Sequence, residues 1–262
     1  GDLNPVSLRT QLSTLRAFVR FCESIDAVES GTHGEILLPT LDANDDVKDE
    51  MLDGERAEKI REYLERFEYA SRKHVLFEIF WSTSIRMGTL HSLDLEDFRS
   101  DEQALAIRHR PDGGTSLKNG ERAERIIAIP ERTCAVVSDW ITHTRPDVTD
   151  DNGREPLITT EQGRVSQSNI RALVYHITRP CYYGESCCCD EQYPYSYASK
   201  CDLSQRHNCL REGSVTHLQE KDVPKEVVSE REDVTTDVRD KHYNKSTEEE
   251  KMEKLKEYLV GL

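Results

Sequence analysis

The sequence predicts a mainly α-helical chain with one small antiparallel β-ribbon. Apolar residues recur at helical spacing through most of its length, and two short apolar runs flank a single turn-rich stretch. No internal repeat organises the rest.

Residues 7 to 25, "SLRTQLSTLRAFVRFCESI", place Leu8, Leu12, Leu15, Phe18, Val19 and Cys22 on one stripe of a first helix. The passage "GTHGEILLPTLDANDDVKDE" is marked by Gly and Pro and ends in acids, the composition of a linker. Residues 1–45 are therefore read as the tail of a truncated helical first domain plus linker, too short for a core of their own. From residue 46 the pattern is continuous. "DGERAEKIREYLERF" and "ASRKHVLFEIFWST" predict two helices, the second largely buried, and "WSTSIRMGTLHSLDLEDF" reads as one helix ending where another begins. "ALAIRHR" and "ERIIAIP" predict the ribbon, joined by the long loop "PDGGTSLKNGERA". Pro130 is expected in the first turn of a helix over "ERTCAVVSDWITHT". "EPLITT" is read as a third short strand and "SQSNIRALVYHIT" as a helix. After a Cys-rich insert, 181–201, three more helices are expected in "SQRHNCLREGSVTHLQEK", "PKEVVSEREDV" and "TTDVRDKHYN". A charged helix over 247–259 closes the chain, with Met252, Leu255 and Leu259 on its apolar side.

The 262 residues suffice for a real core, but only 36% are hydrophobic and the mean hydropathy is -0.70, so the surface is highly polar. No apolar run approaches the length of a membrane span, and the opening "GDLNPVSLRT" carries neither an export signal nor a starting Met. The expectation is a cytoplasmic protein represented by a fragment, its eight Cys serving as thiols or metal ligands. Thirty-five basic against 50 acidic residues give a net charge of -15. That balance fits an acidic protein that avoids polyanions, or a halophile whose acidic surface stays solvated in salt that screens the net field. The halophile is the favoured reading, and the net charge does not decide the ligand.

The chemistry-bearing motifs fall in order. "STSIRMGTLHSLDLEDF" resembles the first arginine box of the tyrosine recombinases, the phage-integrase family: T-G-hydrophobic-R-x-G-E-L followed by L-x-x-x-D. Arg86, Gly88, Leu90, Leu93 and Asp97 match it. "RHNCLREGSVTH" resembles the second box, an H-x-x-R, with Arg211, Gly213, Thr216 and His217 in place. "VRDKHYNK" resembles the third and puts the family's nucleophile on Tyr243; Lys118, in the turn "TSLKNGER", matches the family's ribbon lysine. The resemblance runs from residue 50 to 262, closest to haloarchaeal members. It implies the recombinase catalytic fold, double-stranded DNA as partner, and site-specific cleavage and rejoining through a 3′-phosphotyrosyl intermediate, for integration or excision of a mobile element. It also implies a tetramer on DNA, assembled through the C-terminal helix.

Physical chemistry supports the same roles. A phosphodiester exchange needs a nucleophile, donors for the charge of the phosphorane, and a proton for the departing sugar oxygen. Two arginines, Arg86 and Arg211, can each grip phosphate oxygens with a planar fork, so no cofactor is required for the chemistry. Lys118 on a hairpin tip can deliver the proton.

Three positions depart from the family pattern. The acid of the first box falls on Thr89. The H-x-x-R histidine falls on Asn208, with His207 one residue earlier; both lie near the helix face of Arg211, and His207 alone can exchange a proton near neutral pH. The third-box histidine falls on Arg231, a donor that cannot act as base. A recombinase-derived protein that binds DNA without cutting it, or strand passage like that of a type IB topoisomerase, therefore stays open. In "CYYGESCCCDEQYPYSYASKC", Cys181, Cys187, Cys189 and Cys201 fit a structural tetrahedral zinc, and free thiols in an aromatic loop fit equally well.

Overall fold

The computed structural model describes residues 4–41, 51–186, 195–221, 223 and 252. The chain forms two compact units, Gly1–Glu50 and Met51–Leu262. In the first, helix α1 (Pro5–Ser24) starts where Asn4 accepts the Val6 N–H at 2.9 Å and Pro5 takes a position that needs no N–H donor. A 3₁₀ turn, Thr32–Glu35, folds back onto α1, tied by His33 Nδ1 to Glu23 at 2.8 Å. No residue of α1 is buried; Leu15, Phe18 and Phe21 are all exposed.

The second unit is built on α3 (Arg72–Thr83), whose residues His74 to Thr83 are all buried. A helix buried all round belongs at the centre of a bundle. Helices α2 (Gly54–Phe67), α5 (Glu131–Asp139), α6 (Gln167–Ile177) and α7 (His207–Glu220) pack around it, and the short α4 (Met87–Ser92) follows it directly. Side-chain oxygens of Asp53, Ser71 and Ser166 cap α2, α3 and α6. Pro130 stands one residue earlier than expected, as N-cap of α5, and that helix ends in a π-turn over Trp140–Thr144.

The ribbon gains a third strand from an unexpected source. Strands β1 (Phe98–Arg99), β2 (Ala104–Ile107) and β3 (Arg125–Ala128) form an antiparallel sheet in that order. Leu105, Ile107 and Ile127 enter the main core, while Ala104, Ala106, Ile126 and Ala128 line the other face, where Met252 of the same chain is buried among them. "EPLITT" is not a third strand of this sheet. Pro156 has no N–H for a ladder and makes only an isolated bridge to Asp94, while Leu157 and Ile158 fill the core as irregular chain. Only Thr159–Thr160 (β4) is extended, in a separate small hairpin with Gly163–Arg164 (β5).

An ionic network joins the end of α4 to these loops. Arg164 binds Asp94, and also Asp150 at 2.7 Å; Arg110 binds Asp97 at 2.7 Å and Glu96 at 2.8 Å. Asp94, Asp97, Asp150 and Arg164 are nearly inaccessible, so their charges are tolerable only as a set. Among the described residues, no helix is long and apolar enough to cross a membrane.

Candidate functional site

The site begins with two buried serines. Helix α3 ends at Ser84, which takes a left-handed conformation (φ 55°, ψ 23°) and turns the chain; Ile85 then plunges into the core and Arg86 emerges as the N-cap of α4. A non-glycine residue holds that backbone only when its surroundings over-determine it. Here the Ser84 hydroxyl lies 2.6 Å from that of Ser214 on α7, and Ser214 also donates to the Trp81 carbonyl at 2.6 Å. This buried knot fixes the Arg86 corner against the helix that carries Arg211.

A second close approach seats α7. The Leu52 N–H donates to the Cys209 carbonyl at 3.0 Å, and a Cβ at Gly213 would stand 1.8 Å from the Leu52 carbonyl oxygen. Only glycine lets this backbone lie flat on the helix. Gly213 is thus a packing residue, and His217 is another: its ring meets the Trp81 ring at 5.6 Å, beside Gly54.

These constraints bring distant residues to one cleft of about 410 Å³, lined by Arg86, Met87, Gly88, Thr89, Lys118, His207, Asn208, Arg211 and Glu212. Among the described residues lining it, Arg86, Lys118 and Arg211 supply three positive charges and Glu212 one carboxylate. The cleft is therefore locally cationic in a chain of net charge -15. His207 and Asn208 open α7, so the positive end of that helix also meets the cleft. Arg86 and Arg211 are partly buried and Lys118 is exposed. Burial holds the His207 pKa below the usual imidazole value, and the charges of Arg171 and Arg206 push the same way, so the ring is neutral at pH 7. Its buried Nδ1 has no hydrogen-bond partner among the described residues.

Glu212 is the charged cleft residue that motif reading passes over. Its only signal is adjacency to Arg211, which also suits a surface pair. Tyr243, Arg231, Cys187 and Cys189 lie outside the described residues, as does the 247–259 helix apart from Met252. Cys181 is half-buried and Cys201 buried; among the described residues no three His, Cys, Asp or Glu side chains gather where a metal could sit.

No family model matches the chain. Solved structures do match its fold. The Tn1549 transposon integrase, solved with a circular-intermediate DNA, superposes with TM-score 0.59 at 13% identity, over 85% of this chain and 69% of that one. A lambda integrase dimer bound to a COC′ core site gives 0.56 at 14% identity, over 89% and 74%. The fold is that of the tyrosine recombinases. A curated relative, the tyrosine recombinase XerC of Psychromonas ingrahamii, is 22% identical over 172 residues, 63% of this chain. The match covers 51% of that relative, so this chain spans about half its length. This fold carries, in this chain, a cleft lined by Arg86, Lys118 and Arg211.

Proposed function

We propose that this protein is a site-specific tyrosine recombinase that cuts and rejoins double-stranded DNA, serving the integration or excision of a mobile element. The observation that supports this best is the meeting of Arg86, Lys118 and Arg211, drawn from three separate segments, in one cleft of a recombinase fold.

In this reading the scissile phosphate sits in the cleft. Arg86 and Arg211 donate to its non-bridging oxygens, whose charge grows as the phosphorane forms. The Tyr243 oxygen attacks phosphorus and its proton passes to His207, the neutral imidazole beside Arg211; Asn208 is the alternative, a neutral donor to the phosphate if geometry keeps His207 from it. The P–O5′ bond breaks as Lys118 protonates the leaving oxygen. The product is a 3′-phosphotyrosyl bond and a free 5′-hydroxyl, and reversal of the same steps rejoins a strand without ATP. Arg231 adds a further donor to the phosphate. Self-association would run through residues 247–259, of which Met252 packs on the sheet of its own chain. A zinc on Cys181, Cys187, Cys189 and Cys201 would brace the loop before α7, and metal analysis of the purified protein tests for it.

The test is capture of a denaturant-resistant protein–DNA adduct from a pool of nicked duplexes of randomised sequence, in buffer with chelator and no ATP. An adduct is expected from the native chain and not from Tyr243→Phe. Thr89 in place of the family's acid favours a second reading, duplex binding without cleavage; retention of duplex with no adduct would establish that one instead.

A further inference from the structure

We propose that His109 is a positioning residue for Lys118, an inference that rests on the recombinase reading above. Strand β2 ends at Ile107 and β3 begins at Arg125; the loop between them carries Lys118 to the cleft. A loop of this length does not by itself hold an ammonium group against one oxygen of a substrate. The structure shows what does.

The neck of the loop is closed where the His109 N–H donates to the Glu124 carboxylate at 2.8 Å. From there the imidazole reaches inside the loop, and its Nδ1 accepts the Leu117 N–H at 3.0 Å. An Nδ1 that accepts carries no proton, so the neutral ring bears its proton on Nε2. Leu117 begins a tight turn whose closing bond runs from the Gly120 N–H to the Leu117 carbonyl at 3.1 Å, with Lys118 and Asn119 at its centre. Gly120 has φ +62°, and a Cβ built on it would lie 3.9 Å from His109 Nε2. One edge of the ring thus bonds the first residue of the turn while the other underlies the last. The Leu117 side chain is buried in the main core, 6% exposed, which pins the turn from its other side. Earlier in the loop, Arg154 donates to the Thr115 hydroxyl at 3.0 Å and Asn152 to the Gly113 carbonyl at 3.1 Å. The loop is braced over its length, and at the residue before Lys118 the brace is His109. Its imidazole holds the backbone from which the proton donor projects, and does not itself touch the reacting atoms.

A general acid matters only where the leaving group needs a proton. An alkoxide needs one at neutral pH, whereas a thiolate departs without it. The experiment uses the full chain and the duplex selected in the adduct assay, made with oxygen or with sulfur at the 5′-bridging position. His109→Leu is expected to slow adduct formation on the oxygen substrate by roughly 10- to 100-fold, within the range of general-acid effects. On the sulfur substrate it is expected to run close to the native rate. Lys118→Ala should give the same signature more strongly, and His109→Asn, which keeps an acceptor near the Nδ1 position, should recover most of the lost rate. Equal slowing of both substrates by His109→Leu, or of neither, overturns the assignment while leaving the recombinase reading intact. Failure of the native chain to form an adduct on either substrate sinks the recombinase reading itself.

Discussion

Arg211 shows how one side chain acquires a task from its setting. It lies one turn into α7, four residues after His207, partly buried, in a cleft it shares with Arg86 and Lys118. A guanidinium offers a phosphate two parallel donors in a fixed plane; an ammonium offers the same charge without the fork. Arg211→Ala is expected to lower the rate of adduct formation by about 10²- to 10³-fold, the cost of removing one donor to a developing oxyanion. Arg211→Lys should recover only part of that loss, because charge without geometry is half the contribution. Single-turnover kinetics on the selected duplex check both. The cleft contains seven of the residues singled out by the motifs, Arg86, Gly88, Thr89, Lys118, His207, Asn208 and Arg211, because boxes defined by residue type need no knowledge of the chain path. Glu212 and His109 were not legible in that way. Their places follow from how α7 is rotated and how the ribbon loop curls, neither of which leaves a mark in local spacing.

At the scale of elements, α7 and the end of α3 behave as one piece. Ser84, Ser214 and the Trp81 carbonyl form a buried knot, and the Leu52 backbone lies against Gly213 on another side of α7. A methyl group at residue 213 cannot be absorbed by a rotamer change, since the opposing atom is backbone. Gly213→Ala is expected to destabilise the fold by about 1–3 kcal/mol or more, the range for overpacking a tight contact. Urea unfolding followed by circular dichroism measures it. The helices themselves were legible, since α2 and α6 keep an apolar period long enough to see, and α3 is a largely apolar run too long for a strand. Strand β1 was not, because a two-residue strand has no period. "EPLITT" was misleading for a physical reason: an apolar run bounded by Pro is what both a buried strand and buried irregular chain look like.

At the scale of the whole molecule, stability depends on pH through groups buried in the helical core. His74 is fully inaccessible, and its Nδ1 accepts the Ala70 N–H at 3.2 Å. Burial, then the charge of Arg132, lowers its pKa from 6.5 to about 4, against an opposing pull from Glu65 and with a further push from Arg61. The buried Glu78, 3.8 Å from His74 Nε2, spends its charge on Arg61 at 2.8 Å and accepts from Thr133 at 3.2 Å. The folded pKa lies below the unfolded one, so between pH 6.5 and about 4 the unfolded chain takes the proton first. Stability attributable to His74 is full above that window and falls as pH drops through it, by on the order of 3 kcal/mol. His176, also lowered to about 4 by burial, acts with the same sign. Urea midpoints should therefore fall from pH 7 to pH 4, and His74→Asn should reduce that slope; an unchanged slope would mean His74 is not charged on unfolding.

In the proposed function, the arginine cleft holds a phosphate for Tyr243. The most direct measurement is to trap the protein–DNA adduct, digest both partners, and locate by mass spectrometry the residue that carries the nucleotide. The expected result is a phosphodiester on Tyr243, its yield falling sharply in Arg86→Ala and Arg211→Ala. A nucleotide on any other residue, or an adduct indifferent to both arginines, would contradict it.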